Sequence, residues 1–494
     1  MWKITDKYSN FKYQLEIFKF ERKLYELFLS IEGGIIIVEK QRGIHLYVNI
    51  KNLDKLVIED AKDGKLNHVI HQMNTLFTSI EKFVNDNYKQ EVTIEKVTGS
   101  RLHLIINGKK QTTIMIVICK FAYMLSKEFT SFTKYSNLEL LSLQFGADVG
   151  FYSEAEIKLS DDTEYTSIGY PANYAAKLQS ISYTGSLYVS EKLYDLLDYS
   201  EKKNFEEVYD LQALKTKDKY NNGKIFKFRI GKFDEPNIFT NTVISNIEDY
   251  IIDAREKSDD LNYNMMNKIS PKTKFTFDTW SVTNIAEFYG TVVFADIRGF
   301  TKEFKPDGSN LEILVYETIE ILNTMYSKCT ENNGVHIQFQ GDREYVLFPH
   351  DMQDDACIFA VKLIDAIKRT NRHIGVGIAY GKLYGFKIGI RGEKDNVMLG
   401  IPAICADKLE DLYANEDTIS IASNVYDKLN DSYIKSMFVE KGTVKDINCK
   451  YYSTTYGYEH YANEKHNSFT QKKPDMPYTK PYGVLFQNER NSGK

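Results

Sequence analysis

Two aspartates carry the most specific chemistry in this chain. Thr291-Val292-Val293-Phe294 runs apolar up to Asp296, and Gly299, Phe300 and Thr301 follow. The pattern predicts a buried strand that ends in an acid, followed by a tight turn into a helix. Such a turn can hold phosphate oxygens on backbone N–H groups while the acid holds a cation. The second acid is Asp342, in Gln338-Phe339-Gln340-Gly341-Asp342-Arg343-Glu344-Tyr345. The β-rich arms around Gly341-Asp342 predict a hairpin. Two carboxylates on neighbouring strand ends could carry a pair of divalent metals for phosphoryl chemistry. The plain alternative makes Asp296 a helix N-cap and Asp342 a turn residue.

Phe294-Ala295-Asp296-Ile297-Arg298-Gly299-Phe300-Thr301 resembles the Phe-x-Asp-Ile-x-Gly-Phe-Thr strand end of class III nucleotidyl cyclases, and fills every fixed position of it. Gly341-Asp342 is similar to the hairpin that carries that family's second acid. The resemblance implies two divalent cations, Mn²⁺ or Mg²⁺, held by Asp296, Asp342 and the backbone carbonyl of Ile297. It also implies that Gly299, Phe300 and Thr301 cradle the β- and γ-phosphates of a nucleoside triphosphate.

The elements that must position these residues occur twice. His45 to Asp54 lines up with Val293 to Lys302, so Asn49 stands where Asp296 stands. Glu95 to Leu104 lines up with the Asp342 hairpin, so Ser100 matches Asp342 and Lys96 matches Gln338. An apolar helix (Ile114 to Leu125, Ala356 to Ile367), a strand and hairpin, and the stretches Ser167 to Asn173 and Met398 to Ile404 follow in the same order. The expected fold is α+β: two tandem ferredoxin-like (βαββαβ-type) class III cyclase domains, packed as an intramolecular pseudo-heterodimer. Residues 1–34 read as a cap, 35–232 as the first domain, 233–287 as a linker with one helix, 288–460 as the second domain and 461–494 as a flexible tail.

The two halves lose complementary residues. In class III cyclases one protomer supplies the metal acids, and the other supplies base-reading, ribose-orienting and cationic groups. The second half keeps Asp296 and Asp342, which the first half lacks. On the other set the resemblance implies Lys96 and Thr166 at the base, Asn173 at the ribose and Lys177 at the transition state; the second half has Gln338, Val397, Ile404 and Lys408 there. One composite site is therefore expected. Lys177 stands where the family has Arg, which is not a conservative change. Lys96 donates and Thr166 donates or accepts, which disfavours guanine and leaves adenine, cytosine and uracil open. Gln340, where the family has an apolar residue against the base, could read a polar pyrimidine edge. The layout resembles the Pycsar pyrimidine cyclases, which implies cyclic UMP or cyclic CMP made as an antiphage signal for a separate effector protein. Adenylate cyclase is the alternative, and a non-catalytic nucleotide sensor is the reading from a different class.

Composition fits this reading. A chain of 494 residues allows two domains of this size, and 43% hydrophobic residues suffice for two cores. A net charge of −5 gives no case for nucleic acid. Five scattered cysteines without a Cys-x-x-Cys pair point to a reducing compartment and away from zinc. The most apolar run, Ile114 to Leu125, is interrupted by Lys120 and is too short for a bilayer. No membrane span and a cytoplasmic location are expected.

Overall fold

The computed structural model describes residues 39–454, except 64–65, 133–137, 161, 211–212, 214, 217–222, 231–240, 261–265, 271–274, 282–283 and 390–394. The expected cap and tail lie outside the described residues. The first sheet contains β1 (Gln41–Ile50), β2 (Val92–Thr98), β3 (Arg101–Ile106), β4 (Leu143–Lys158), β5 (Thr163–Ile168), β6 (Ser186–Ser190), β7 (Phe205–Glu207) and β8 (Ile225–Arg229). The second contains β9 (Met266–Lys268), β10 (Ile285–Ile297), β11 (Val335–Phe339), β12 (Arg343–Pro349), β13 (Ile374–Ile388), β14 (Asp395–Leu399), β15 (Thr418–Ala422), β16 (Phe438–Val444) and β17 (Cys449–Thr454).

The sheet orders are β2-β3-β1-β4-β6-β8-β7, with β5 on β4, and β11-β12-β10-β13-β15-β17-β16, with β14 on β13 and β9 on β10. Apart from β9, one sheet repeats the other, down to the order of the last hairpin. The longer helices are α1 (Leu53–Asp63), α2 (Leu66–Asn87), α3 (Gln111–Glu128), α4 (Tyr170–Ile181), α5 (Asn241–Asp260), α6 (Leu311–Glu331), α7 (Gln353–Lys368) and α8 (Ile401–Lys408). Helix α2 buries Val69, Met73, Leu76, Ile80 and Phe83, a stripe at helical spacing. Among the described residues no helix is long and apolar enough to cross a membrane. The tandem α+β architecture is the one expected.

Two local expectations change. The Asp296 strand turns into a single 3₁₀ turn, Phe300–Glu303, and the next α-helix begins only at Leu311. Phe304 is extended and Pro306 follows, so the helix cannot start earlier. Strand β9 pairs in parallel with Ile285 to Glu287, within the stretch assigned to the linker. Its three residues are too few to show a strand periodicity.

The halves exchange arms. Strand β4 pairs with β1 only as far as Tyr152; Ser153 to Lys158 pair with β5 alone. Strand β13 repeats this, pairing with β14 beyond the reach of β10. The β4–β5 arm puts Ala155, Ile157 and Ile168 into one apolar cluster with Val293, Leu314 and Phe339 of the second half. The β13–β14 arm puts Phe386, Ile388 and Val397 into the cluster built on Leu46, Ile80 and Leu104 of the first. Each half thus completes the core of the other. Ile157 is fully buried, so Ile157→Ala should lower stability by about 3 kcal/mol through lost transfer energy and a cavity. Denaturant unfolding would measure it, with both halves expected to weaken together.

Candidate active site between the halves

The sheets face each other across a cleft of about 310 Å³. Lys96 reaches it from β2, Thr166 and Ser167 from the end of β5, and Asn173 and Lys177 from α4. The second half contributes Asp296 from the end of β10, Gln340 and Gly341 from the β11–β12 turn, and Arg343 from β12. Asp407, Glu410 and Asp411 line the cleft from α8 and the turn after it. The cleft therefore gathers Lys96, Thr166, Asn173, Lys177, Asp296 and Gln340 from both halves. Asp342, Ile297, Gly299, Phe300 and Thr301 stand beside it and are not among its lining residues.

Glycines set the approach of the helix. A Cβ at Gly146 on β4 would lie 2.1 Å from Gln179 N, so α4 rests on bare strand backbone. Asn173 and Lys177 stand one turn apart on that helix. Asn173 Oδ1 would lie 3.9 Å from a Cβ on Gly341, which brings the ribose-side Asn to the tip of the acid-bearing hairpin. Gly299 has φ of 75°, a left-handed turn just beyond the Asp296 strand.

The acids repel one another. Burial first, and then the neighbouring Asp342 carboxylate, raises the pKa of Asp296; burial and Glu410 raise that of Asp342. Asp296 is 27% exposed toward the cleft. Two guanidiniums partly offset this crowding. Arg298 lies 3.6 Å from Asp296 and 2.7 Å from Glu410 Oε1, and donates to the Glu410 and Ala414 carbonyls. Arg343 pairs with Asp407 at 2.7 Å and Glu410 at 3.0 Å, and lies 4.0 Å over the Phe294 ring. Leu409–Tyr413 is a π-turn, a helix irregularity frequent at functional sites; it carries Glu410 and Asp411.

Hard oxygen donors that raise each other's pKa suit divalent cations. Among the described residues no group of three or more His, Cys, Asp or Glu is placed to hold a metal. Asp296 and Asp342 would therefore share the cations with the Ile297 carbonyl, water and substrate oxygens, as Mg²⁺ sites commonly do.

Lys96 is less available than its sequence position implies. Its ammonium is 2.8 Å from Glu164 Oε1 and donates to the Phe339 carbonyl at 3.1 Å. Glu164 and its partner His336 are absent from the sequence expectations. Glu164 shares a strand face with Thr166, two residues on, and that period was the available signal. Arg298 and Glu410 are 112 residues apart, and no local pattern links them.

In the opposite half-site the corresponding side chains engage one another and their neighbours. Ser100 Oγ donates to Asn49 Oδ1 at 2.6 Å. Lys408 is held 3.4 Å from Asp446 and 3.8 Å from Asp54.

No protein-family model matches this chain, and no curated protein matches it. Among solved structures, a class III adenylyl cyclase-like ATP-binding protein from Pseudomonas aeruginosa is similar over 81% of this chain and 87% of its own, at 16% identity and a TM-score of 0.59. The adenylyl cyclase CyaB from P. aeruginosa matches 35% of this chain over 96% of its own, at 22% identity and a TM-score of 0.30. The guanylate cyclase domain of RhGC from Catenaria anguillulae matches 35% over 98%, at 19% identity and a TM-score of 0.29. The first of these shows the shared fold across both halves.

The ion cluster beside the cleft makes stability depend on pH. Glu164 Oε2 lies 2.9 Å from His336 Nε2, and Glu344 Oε1 lies 3.1 Å from His336 Nδ1. Burial alone would lower the His336 pKa, but these two carboxylates hold it at about 9, above its ordinary 6.5. Burial would raise Glu164, but Lys96 and His336 hold it at about 2, below its ordinary 4.5. The His336 contribution is complete below pH 6.5 and is lost as pH rises through about 9. The Glu164 contribution is complete above pH 4.5 and is lost as pH falls through about 2. Unfolding free energy should fall on the alkaline side by an amount on the order of 3 kcal/mol. His336→Gln should flatten that slope in denaturant titrations between pH 6.5 and 9.

Proposed function

We propose that this protein is a nucleotidyl cyclase that converts a nucleoside triphosphate to a 3′,5′-cyclic monophosphate and pyrophosphate at one composite site. The observation that carries the reading is the single cleft that brings Asp296 of one half together with Thr166, Asn173 and Lys177 of the other. The two sets are each incomplete alone, and they meet where one substrate could touch both.

Bound divalent cations would neutralise the triphosphate and acidify the ribose 3′-hydroxyl. Asp296 and Asp342 would hold them, helped by the Ile297 carbonyl. The Gly299-Phe300-Thr301 turn, adjoining Asp296, would bind terminal phosphates through its N–H groups. Asn173 would fix the ribose so that the 3′-oxygen lies in line with the α-phosphorus. Lys177 would face the charge that builds on the α-phosphoryl oxygens. Arg343 adds a further cation to the cleft wall, which also carries Lys96 and Arg101, where the sequence supplies Lys177 in place of the family's Arg.

Lys96, Thr166 and Gln340 would border the base, and the Ser167 hydroxyl beside them has no hydrogen-bond partner among the described residues. With Lys96 held by Glu164 and Phe339, this edge consists mainly of small hydroxyls and an amide, which suits the paired polar groups of uracil or cytosine. The favoured substrates are UTP or CTP, with the cyclic product acting on a separate effector protein in antiphage defence. ATP is the second reading, favoured by the ATP-binding cyclase-like protein that shares the fold.

The test incubates the protein with Mn²⁺ and each of ATP, CTP, GTP and UTP, and detects cyclic monophosphates by mass spectrometry. A cyclic pyrimidine nucleotide is expected, and Asp296→Asn should reduce its formation by about 100-fold or more. Cyclic AMP would establish the second reading. No cyclic product from any nucleotide would overturn the cyclase assignment.

A further inference from the structure

Strand β11 is an edge strand of the second sheet, and its last residue, Phe339, directly precedes Gln340-Gly341-Asp342. Edge strands leave backbone groups unpaired. Here the other half pairs them. Phe339 N–H donates to Glu164 Oε1 at 2.9 Å, and the Phe339 carbonyl accepts from Lys96 at 3.1 Å. The Lys96–Glu164 ion pair thus takes both main-chain groups of the residue that leads into the acid-bearing turn. Glu164 also holds His336 on the same strand, and His336 holds Glu344, the cross-strand neighbour of Phe339.

The pseudo-symmetric place repeats the contact to the edge-strand N–H. Val97, on edge strand β2, precedes Thr98-Gly99-Ser100, the turn that corresponds to Gln340-Gly341-Asp342. Its N–H donates to Asp395 Oδ2 of the second half at 2.5 Å. Asp395 pairs with Ile388 in its arm as Glu164 pairs with Ile157. The two acids are therefore counterparts, each reaching from one arm to cap the edge strand of the other half. The counterparts of the charged groups are uncharged: Gln338 stands in the place of Lys96, with no partner for its Nε2 among the described residues, and Ile94 and Leu102 stand in the places of His336 and Glu344.

We propose that Glu164 is a positioning residue for the composite site, and that Asp395 is its docking-only counterpart. The catalytic consequence rests on the cyclase reading above. Glu164 fixes the Gln340-Gly341-Asp342 turn against the wall that carries Lys96 and Thr166. The distance between the metal-binding acid and the base- and ribose-binding residues then depends on one carboxylate. A charge-assisted, multiply bonded carboxylate is stiff, and a displacement of about 1 Å at such a site can cost on the order of 100-fold in rate.

The experiment compares wild type, Glu164→Gln and Asp395→Asn by thermal unfolding, by kcat and KM with Mn²⁺ and the preferred nucleotide, and by Mn²⁺-dependent affinity for that nucleotide. Both variants should lose stability. Only Glu164→Gln should lose kcat, by about 10- to 100-fold, with KM shifted less than about threefold. Equal kcat losses in the two variants, or unchanged kcat in Glu164→Gln, would overturn the proposal. If Glu164→Gln does not fold, His336→Gln keeps the carboxylate and removes one of its bonds. A kcat loss there, smaller but in the same direction, supports the proposal, and an unchanged kcat overturns it. A wild type without cyclase product would remove the cyclase reading alone. Affinity for Mn²⁺ and the four nucleoside triphosphates would then decide, with weakening confined to Glu164→Gln as support and equal affinity in both variants as refutation.

Discussion

The exchanged arms are the constraint on which the rest of this structure depends. Strands β4 and β13 run past the partners they have in their own sheets, and their tips are apolar residues with no core of their own to enter. Ile157 and Ile168 are buried in a cluster that includes Val293 and Phe339 of the second half, and Ile388 and Val397 in one that includes Leu46 and Leu104 of the first. Hydrophobic burial of this kind is non-directional, so it brings the halves together without fixing their register. The register comes from polar groups at the rim of the same contact, where Glu164 and Asp395 meet the edge strands.

This division of labour explains how the halves can differ so much in chemistry while keeping one architecture. The sheet order and the glycine seat of the helix survive in both. Gly146 under α4 is matched by Gly377, where a Cβ would lie 2.2 Å from Ala406 O. These features make the fold. The residues proposed to hold metal or to read the base are not among these shared features, and each half lacks the set that the proposed composite cleft does not need. Asn49 and Ser100 hydrogen-bond to one another where two carboxylates would repel. At that position the first half gains stability that the second half forgoes, since Asp296 and Asp342 are crowded, partly buried and raised in pKa.

The repeat, the strand that ends in Asp296 and the complementary losses were legible in the sequence because each is a local pattern of residue types. The cleft then needed only the pseudo-twofold arrangement that the repeat implied. What was not legible depends on contacts across long separations. Lys96 reads as a base-facing donor until Glu164 is seen beside it, 68 residues away. Arg298 lies inside the most informative motif in the chain, yet its partners are on the far side of the second domain. The start of α6 was misplaced because a left-handed glycine with an aromatic and Thr after it reads like a helix entry. Burial of Phe300 instead closes a 3₁₀ turn.

On the proposed function, charge in the cleft is distributed so that cations would be attracted while repulsion among the acids is limited. Asp296, Asp407, Glu410 and Asp411 face one small volume, which alone would be costly to keep ionised. Arg298 and Arg343 meet this by sharing Glu410, a buried carboxylate, so that both guanidiniums are anchored on one acid. Asp296 is left with only a long contact to Arg298, at 3.6 Å, and keeps its opening to the cleft. A guanidinium bound closely to Asp296 would compete with a divalent ion for the same oxygens. Holding it on Glu410 lowers the repulsion at a distance and leaves the ligand oxygens available. On this view the π-turn is part of the site, because it carries Glu410 to the place where one carboxylate can serve two arginines.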